Sequence, residues 1–241
     1  MIKMYYENMK IHRFIGVFDL SKKEIEIVNP ENIKQIRDVL RLKIGEKIII
    51  SDGKGKEAET AINEVSKDKI LVSVLELTNK KEQERKISLY LAILKKENFE
   101  LAVQKAVEVG VSNIVPIVTE RTIKTGLNID RLEKIILEAS EQSGRSTVPT
   151  ISSIFNFKDA LEIGKSSEEK FIFHTKEENS VYTPNKTAKN VSIFIGPEGG
   201  FTEKEIGLAK DSGYFVASLG TLTLRGETAA IVATYRAVNA I

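Results

Sequence analysis

Ile195-Gly196-Pro197-Glu198-Gly199-Gly200-Phe201 decides the fold. It follows an apolar run (Val191, Ile193, Phe194) and leads to Thr202 and Glu205 at capping-box spacing, so a strand should end and a helix begin here. Closely spaced glycines let the backbone turn sharply and let a ligand approach it. The layout returns at Leu219 to Ala230, L-G-T-L-T-L-R-G-E-T-A-A: a strand over 214–219, a loop through Gly220, then a helix over 228–240. Two strand-loop-helix units place both loops at the carboxyl edge of a parallel sheet, where open α/β sheets bind ligands. Turn glycines alone would not require Glu198, Arg225 and Glu227 in the same loops.

Working outward, residues 87–94 form a continuous apolar run, as in a buried parallel strand. Helices are predicted over 95–109 and 130–143, strands over 114–118 and 170–174, and a short extra element over 155–161. A polar excursion fills 175–188. The alternation specifies an α/β fold with a mostly parallel sheet. Residues 1–78 read differently: strands over 12–20, 24–28, 47–51, 57–62 and 69–75, a helix over 30–42, and a hairpin turn at Asp52-Gly53-Lys54-Gly55. Short strands and turns suggest a small barrel. The polar stretch 79–86 reads as the linker to a second domain over 87–241.

Composition narrows the chemistry. With no cysteine, disulfides, thiolate catalysis and cysteine zinc sites are excluded. The two histidines, His12 and His174, are far apart in sequence, so a histidine-rich metal site is excluded and no metal is expected. His174 ends a strand at the edge that carries the glycine loops and is a candidate to line the site. No phosphate-loop motif appears. The Gly53-Lys54-Gly55 pattern is no dinucleotide fingerprint, because a returning strand follows it. Apolar runs are too short for a membrane span, and the start lacks a signal-peptide core, so the expected location is cytoplasmic. A net charge of +2 does not by itself argue for nucleic acid. Yet Arg121, Arg145 and Arg225 lie in loops beside Gly, Glu or Thr, and these with Arg13 and Arg41 are arginines that suit phosphate or base contacts as well as surface ion pairs.

The two glycine motifs together resemble the SPOUT-class RNA methyltransferases of the RsmE type. H-R-F at residue 12, V-L-R at 39, S-D-G at 51, T-E-R-T at 119 and E-Q-S-G-R at 141 extend the resemblance over nearly the whole chain. It implies a PUA-like β-barrel, a trefoil-knotted α/β domain and a homodimer. It implies S-adenosyl-L-methionine as cofactor and methylation of a uridine imino nitrogen in small-subunit ribosomal RNA. The cofactor would be held by His174, Thr175, Gly196, Glu198, Gly199, Gly200, Leu219, Gly220, Leu222, Leu224 and Thr228. Arg225 would stabilise charge, and Glu227 would act as base or orienter, or simply as a helix-start acid. Arg13, Arg41, Lys54, Arg121 and Arg145 would contact RNA. Another RNA target and a non-catalytic RNA-binding relative are the alternatives. The sequence departs from the family at Thr221, at Gly226 and in a longer lead-in over residues 1–11; Gly226 is expected to loosen its loop.

Overall fold

The structure, a computed structural model, describes residues 11–80, 83–175 and 180–241, and most of the long lead-in lies outside them. The chain divides into two compact units, one of residues 1–82 with 140–148 and one of residues 83–139 with 149–241. A division at 79–86 assigns Glu141 to Arg145 to the second domain, whereas in the structure Ser140–Val148 group with the first unit.

The first unit contains β1 (His12–Ile15), β2 (Glu24–Ile27), α1 (Pro30–Lys34), β3 (Lys47–Ser51), β4 (Lys56–Val65) and β5 (Ile70–Asn79). Its sheet runs β1-β3-β4-β5-β2, parallel only between β1 and β3. Ile48 and Ile50 alternate inward on β3 and join Phe14, Ile25, Ile27, Ile33, Ile36, Ile62 and Val72 in one core. β1 is shorter than the predicted 12–20. Its last ladder bond is from Gly16 N to Ser51 O, and the Asp19 carboxylate then accepts from Ser21 N and Oγ, which turns the chain away. The predicted helix over 30–42 is also interrupted. After α1, capped by Asn29, comes one π turn over Gln35–Val39, and Arg41 then adopts φ 56°.

In the second unit come β6 (Lys86–Ala92), α2 (Lys96–Glu108), β7 (Asn113–Val118), the opening of α3 (Ile129–Ser143), β8 (Thr150–Ile151), β9 (Phe155–Asn156) and α4 (Phe157–Gly164). β10 (Glu169–Phe173), β11 (Asn190–Ile195), α5 (Glu203–Asp211), β12 (Phe215–Ala217) and α6 (Gly226–Asn239) complete it. Its sheet runs β12-β10-β11-β6-β7-β8, with every pairing parallel and β9 continuing along β7. Parallel strands need crossovers, and the helices that make them bury the sheet. Tyr90, Phe194 and Tyr214 pack with Phe157 of α4 and Ile206 and Ala209 of α5. α6 packs on β6 and β11 and against α2. No helix among the described residues is long and apolar enough to cross a membrane.

Candidate active site

The carboxyl ends of β6, β7, β10, β11 and β12 surround one cavity of about 710 Å3. His174 and Thr175 enter it from β10, Gly196, Glu198, Gly199 and Gly200 from β11, and Leu219, Gly220, Leu222, Leu224, Arg225 and Glu227 from the segment after β12. Two loops far apart in sequence thus meet because their strands share one direction and one sheet.

The first glycine loop is held from three sides. Thr202 and Glu205 form the capping box of α5, with Glu205 Oε2 accepting from Thr202 N at 2.8 Å. The other oxygen of Glu205 accepts from Glu120 N at 2.8 Å, and Thr202 Oγ1 donates to Glu120 Oε2 at 2.8 Å. Glu205 is buried, and these bonds occupy both of its oxygens. Arg121 donates to Gly199 O at 2.7 Å and to Phe201 O at 3.3 Å. Glu198 Oε1 accepts from Lys95 N at 3.0 Å.

The second loop turns at Gly220, whose φ of 136° disfavours side-chain-bearing residues. α6 starts two residues before the predicted Thr228. Arg225 is extended at the N-cap, and Ala229 N donates to Arg225 O at 2.8 Å. Gly226 does not merely loosen this turn. A Cβ there would lie 2.9 Å from Leu94 Cδ2, so the missing side chain lets the helix start pack on buried Leu94. Glu227 is 7% exposed, and its Oε2 has no hydrogen-bond partner among the described residues. Ser218, also buried and lining the cavity, has an Oγ without a partner among the described residues.

Thr228 is exposed and does not line the cavity. A residue following inward-facing Glu227 lies about 100° further round a helix, which turns it outward. Sequence reasoning missed Lys95, Asn98 and Ser218, which do line the cavity. Lys95 and Asn98 follow the long apolar run of β6, and the strand-end rule applied to β6 would have found them.

The five cationic RNA candidates separate. Arg121 lies in the cavity, whereas Arg13, Arg41, Lys54 and Arg145 belong to the first unit. There Arg41 and Lys54 are exposed. Arg13 is buried and paired with Glu57, which also meets Lys80 at 2.9 Å. Arg145 is half-buried and donates to Thr147 O at 3.1 Å; burial lowers its guanidinium below the ordinary value. Among the described residues no group of three or more His, Asp or Glu could hold a metal ion.

A parallel α/β sheet with a two-loop cavity at its carboxyl edge, in a chain that also carries a small β unit, defines a class of two-part α/β proteins with a candidate ligand site at the strand ends. The family model described as RNA methyltransferase domain matches residues 81–238, and that of the RNA methyltransferase PUA domain matches 28–75. The chain belongs to the RNA methyltransferase family. A curated relative from Rickettsia conorii, ribosomal RNA small subunit methyltransferase E, is 33% identical over 213 residues, 87% of each chain. The namesake from Mesomycoplasma hyopneumoniae is 40% identical over 156 residues, 62% of this chain and 68% of its own. Among solved structures, the Neisseria gonorrhoeae ribosomal RNA small subunit methyltransferase E bound to S-adenosyl methionine is 30% identical with a TM-score of 0.84, covering 93% of this chain and 95% of its own. A Legionella pneumophila putative methyltransferase with bound S-adenosyl methionine is 28% identical with a TM-score of 0.83, covering 96% and 98%.

Proposed function

We propose that this chain transfers a methyl group from S-adenosyl-L-methionine to the imino nitrogen of a specific uridine in small-subunit ribosomal RNA, giving 3-methyluridine. The observation that carries the reading is the meeting of Arg225, Glu227 and both glycine loops in one cavity. The names of the relatives and the cofactor in the two solved neighbours support it.

The residues fit the cofactor. Leu219, Leu222 and Leu224 provide apolar wall, the glycines expose main chain, and Ser218 and Glu227 bring buried oxygens without partners to the same cavity. When bound, the cofactor supplies an electrophilic methyl group on a sulfonium. His174, Thr175 and the Gly196–Gly200 and Leu219–Leu224 loops would hold it. The protein's own work is to place the uracil ring and manage a proton. The uracil imino group is a weak acid. Exposed Arg225, without a capping bond of its own, is placed to stabilise negative charge on a uracil carbonyl oxygen. The open oxygen of Glu227 leaves it able to accept the imino proton or to orient its donor.

The reading includes a homodimer, as the family resemblance implies, and a cytoplasmic location, as the short apolar runs and the start of the sequence suggest. It also includes a trefoil knot. In its support, α6 begins where a Gly226 Cβ would lie 3.5 Å from Gly196 O, so the last helix starts against the first glycine loop before packing on β6 and β11.

The test is methyl transfer from labelled S-adenosylmethionine to small ribosomal subunits lacking the mark, followed by nucleoside mass analysis. Label in 3-methyluridine is expected, and label in another nucleoside would move the enzyme to another target. Arg225→Ala should lower kcat by about 10²-fold with cofactor affinity little changed; unchanged turnover would remove Arg225 from this role.

A further inference from the structure

Between β10 and β11, residues 180–188 form a strap that no step above uses. Its centre is Tyr182, fully buried although its immediate neighbours Val181 and Thr183 are exposed. The ring meets Phe171 edge-on at 4.5 Å and Phe173 at 5.3 Å, with the Arg236 guanidinium 5.5 Å from its centroid. Burial, with Glu169 nearby, pushes its hydroxyl up to about 12, so it stays neutral.

The strap is pinned outside the ring as well. Arg236 donates to Tyr182 O at 2.5 Å. Arg85 donates to Asn185 O at 2.7 Å, to Ala188 O, to Ala237 O at 2.6 Å and to Glu169 Oε2 at 2.8 Å. Glu169 Oε1 in turn accepts from Asn185 N at 2.7 Å. Two arginines therefore join the strap to β10 and to the end of α6.

All this fixing serves one short contact. Ser218 N donates to Ser180 O at 2.8 Å, and Tyr182 N donates to Ser218 O at 2.9 Å. Both main-chain groups of Ser218 are thus held by the strap, immediately before Leu219 and Gly220 of the cavity wall. On the preceding residue, Ala217 O accepts from His174 N at 3.0 Å, and His174 also lines the cavity.

We infer that Tyr182 is a positioning residue for the cofactor, acting through Ser218: its buried ring anchors the strap that sets the path of the 218–220 wall. The inference rests on the S-adenosylmethionine reading, and the experiment separates the two. S-adenosylhomocysteine binding to the full-length protein is measured by calorimetry for wild type, Tyr182→Leu and Tyr182→Phe. If wild type does not bind, the cofactor reading fails and the inference with it. If wild type binds, Tyr182→Leu should weaken affinity about tenfold, the scale of one lost main-chain hydrogen bond, and Tyr182→Phe, which keeps the ring, should stay within about twofold. Ligand should raise hydrogen-exchange protection at Ser218 and Tyr182 in wild type and lose that effect in Tyr182→Leu, while RNA affinity stays unchanged. A folded Tyr182→Leu protein with wild-type affinity overturns the inference. Should that variant not fold, Arg236→Met, which removes the bond to Tyr182 O, is expected to weaken binding in the same direction; unchanged affinity there overturns it equally.

Discussion

The main-chain N–H of Lys95 is held by the carboxylate of Glu198, 103 residues away, at 3.0 Å. Lys95 is the N-cap of α2 and makes no side-chain capping bond of its own. A glycine-loop residue therefore stabilises the start of a helix, where a negative group also meets the positive end of the helix dipole.

Removing that carboxylate should affect stability and cofactor binding together. Glu198→Ala is expected to cost about 1 kcal/mol of stability and to weaken cofactor binding several-fold. Glu198→Gln, which keeps an acceptor oxygen, should retain most of both. Thermal melts and calorimetry on the pair check this. Equal losses in the two variants would show that negative charge matters more than acceptance.

Arg121 offers a sharper division. Its bonds to Gly199 O and Phe201 O make it a brace of the first glycine loop. Arg121→Ala should therefore raise the cofactor Kd. The salt dependence of RNA binding should keep its slope, whereas loss of a phosphate contact would lower the slope by nearly one. A reduced slope with an unchanged cofactor Kd would return Arg121 to the RNA-contact role that its sequence context suggests.

In the first unit, exposed Arg41 and Lys54 should behave the opposite way. Alanine at either position is expected to weaken RNA binding across sequences and to reduce the salt slope by about 0.7–0.9, with melting temperature unaltered. Wild-type slopes in both variants would locate RNA contact elsewhere. Arg13→Ala should instead destabilise, by about 2–3 kcal/mol, because it leaves Glu57 buried with Lys80 as its remaining partner.

Glu57 also sets an acid limit. Burial pushes its carboxyl up, but the hydrogen bonds and charges of Arg13 and Lys80 outweigh that and hold it below the ordinary value. A depressed folded-state value stabilises above the unfolded pKa, about 4.3 for Glu, and the contribution disappears as pH falls through the folded value. Denaturant midpoints should therefore fall below about pH 4.5 in wild type. In Glu57→Gln they should start lower at neutral pH and change less. Parallel curves would exclude Glu57 as the titrating group.

Local chemistry was legible in the sequence where one rule acted alone. The apolar run Ile48-Ile49-Ile50 marked β3, and Thr202 with Glu205 announced α5. The glycine loops pointed to the cavity because strand direction dictates where such loops lie. What remained hidden depended on distant partners. Nothing near Arg13 in sequence reveals Glu57, and nothing near Ser218 reveals Ser180 and Tyr182. Alternation continued past Gly16, so β1 read too long until the Asp19 turn intervened. The π turn after Lys34 leaves no mark in a pattern of apolar spacing that an α-helix fits equally well.

The grouping of Ser140–Val148 with the first unit bears on the order of synthesis. The Asp52–Gly55 turn is tied to this segment by Gly55 N to Ser146 O at 3.0 Å and by Val148 N to Gly53 O at 2.9 Å, and Ile15 N reaches Glu141 Oε1 at 2.7 Å. A chain leaves the ribosome amino end first. The small β unit, although written first, therefore cannot complete its hydrogen bonding until the ribosome has released residue 148, by which time β6, α2 and β7 have already emerged. A fragment cut at the apparent linker would expose the Ile15 and Gly55 amides that the later segment satisfies, so a unit whose strands all precede residue 80 is finished only by a segment encoded after β7.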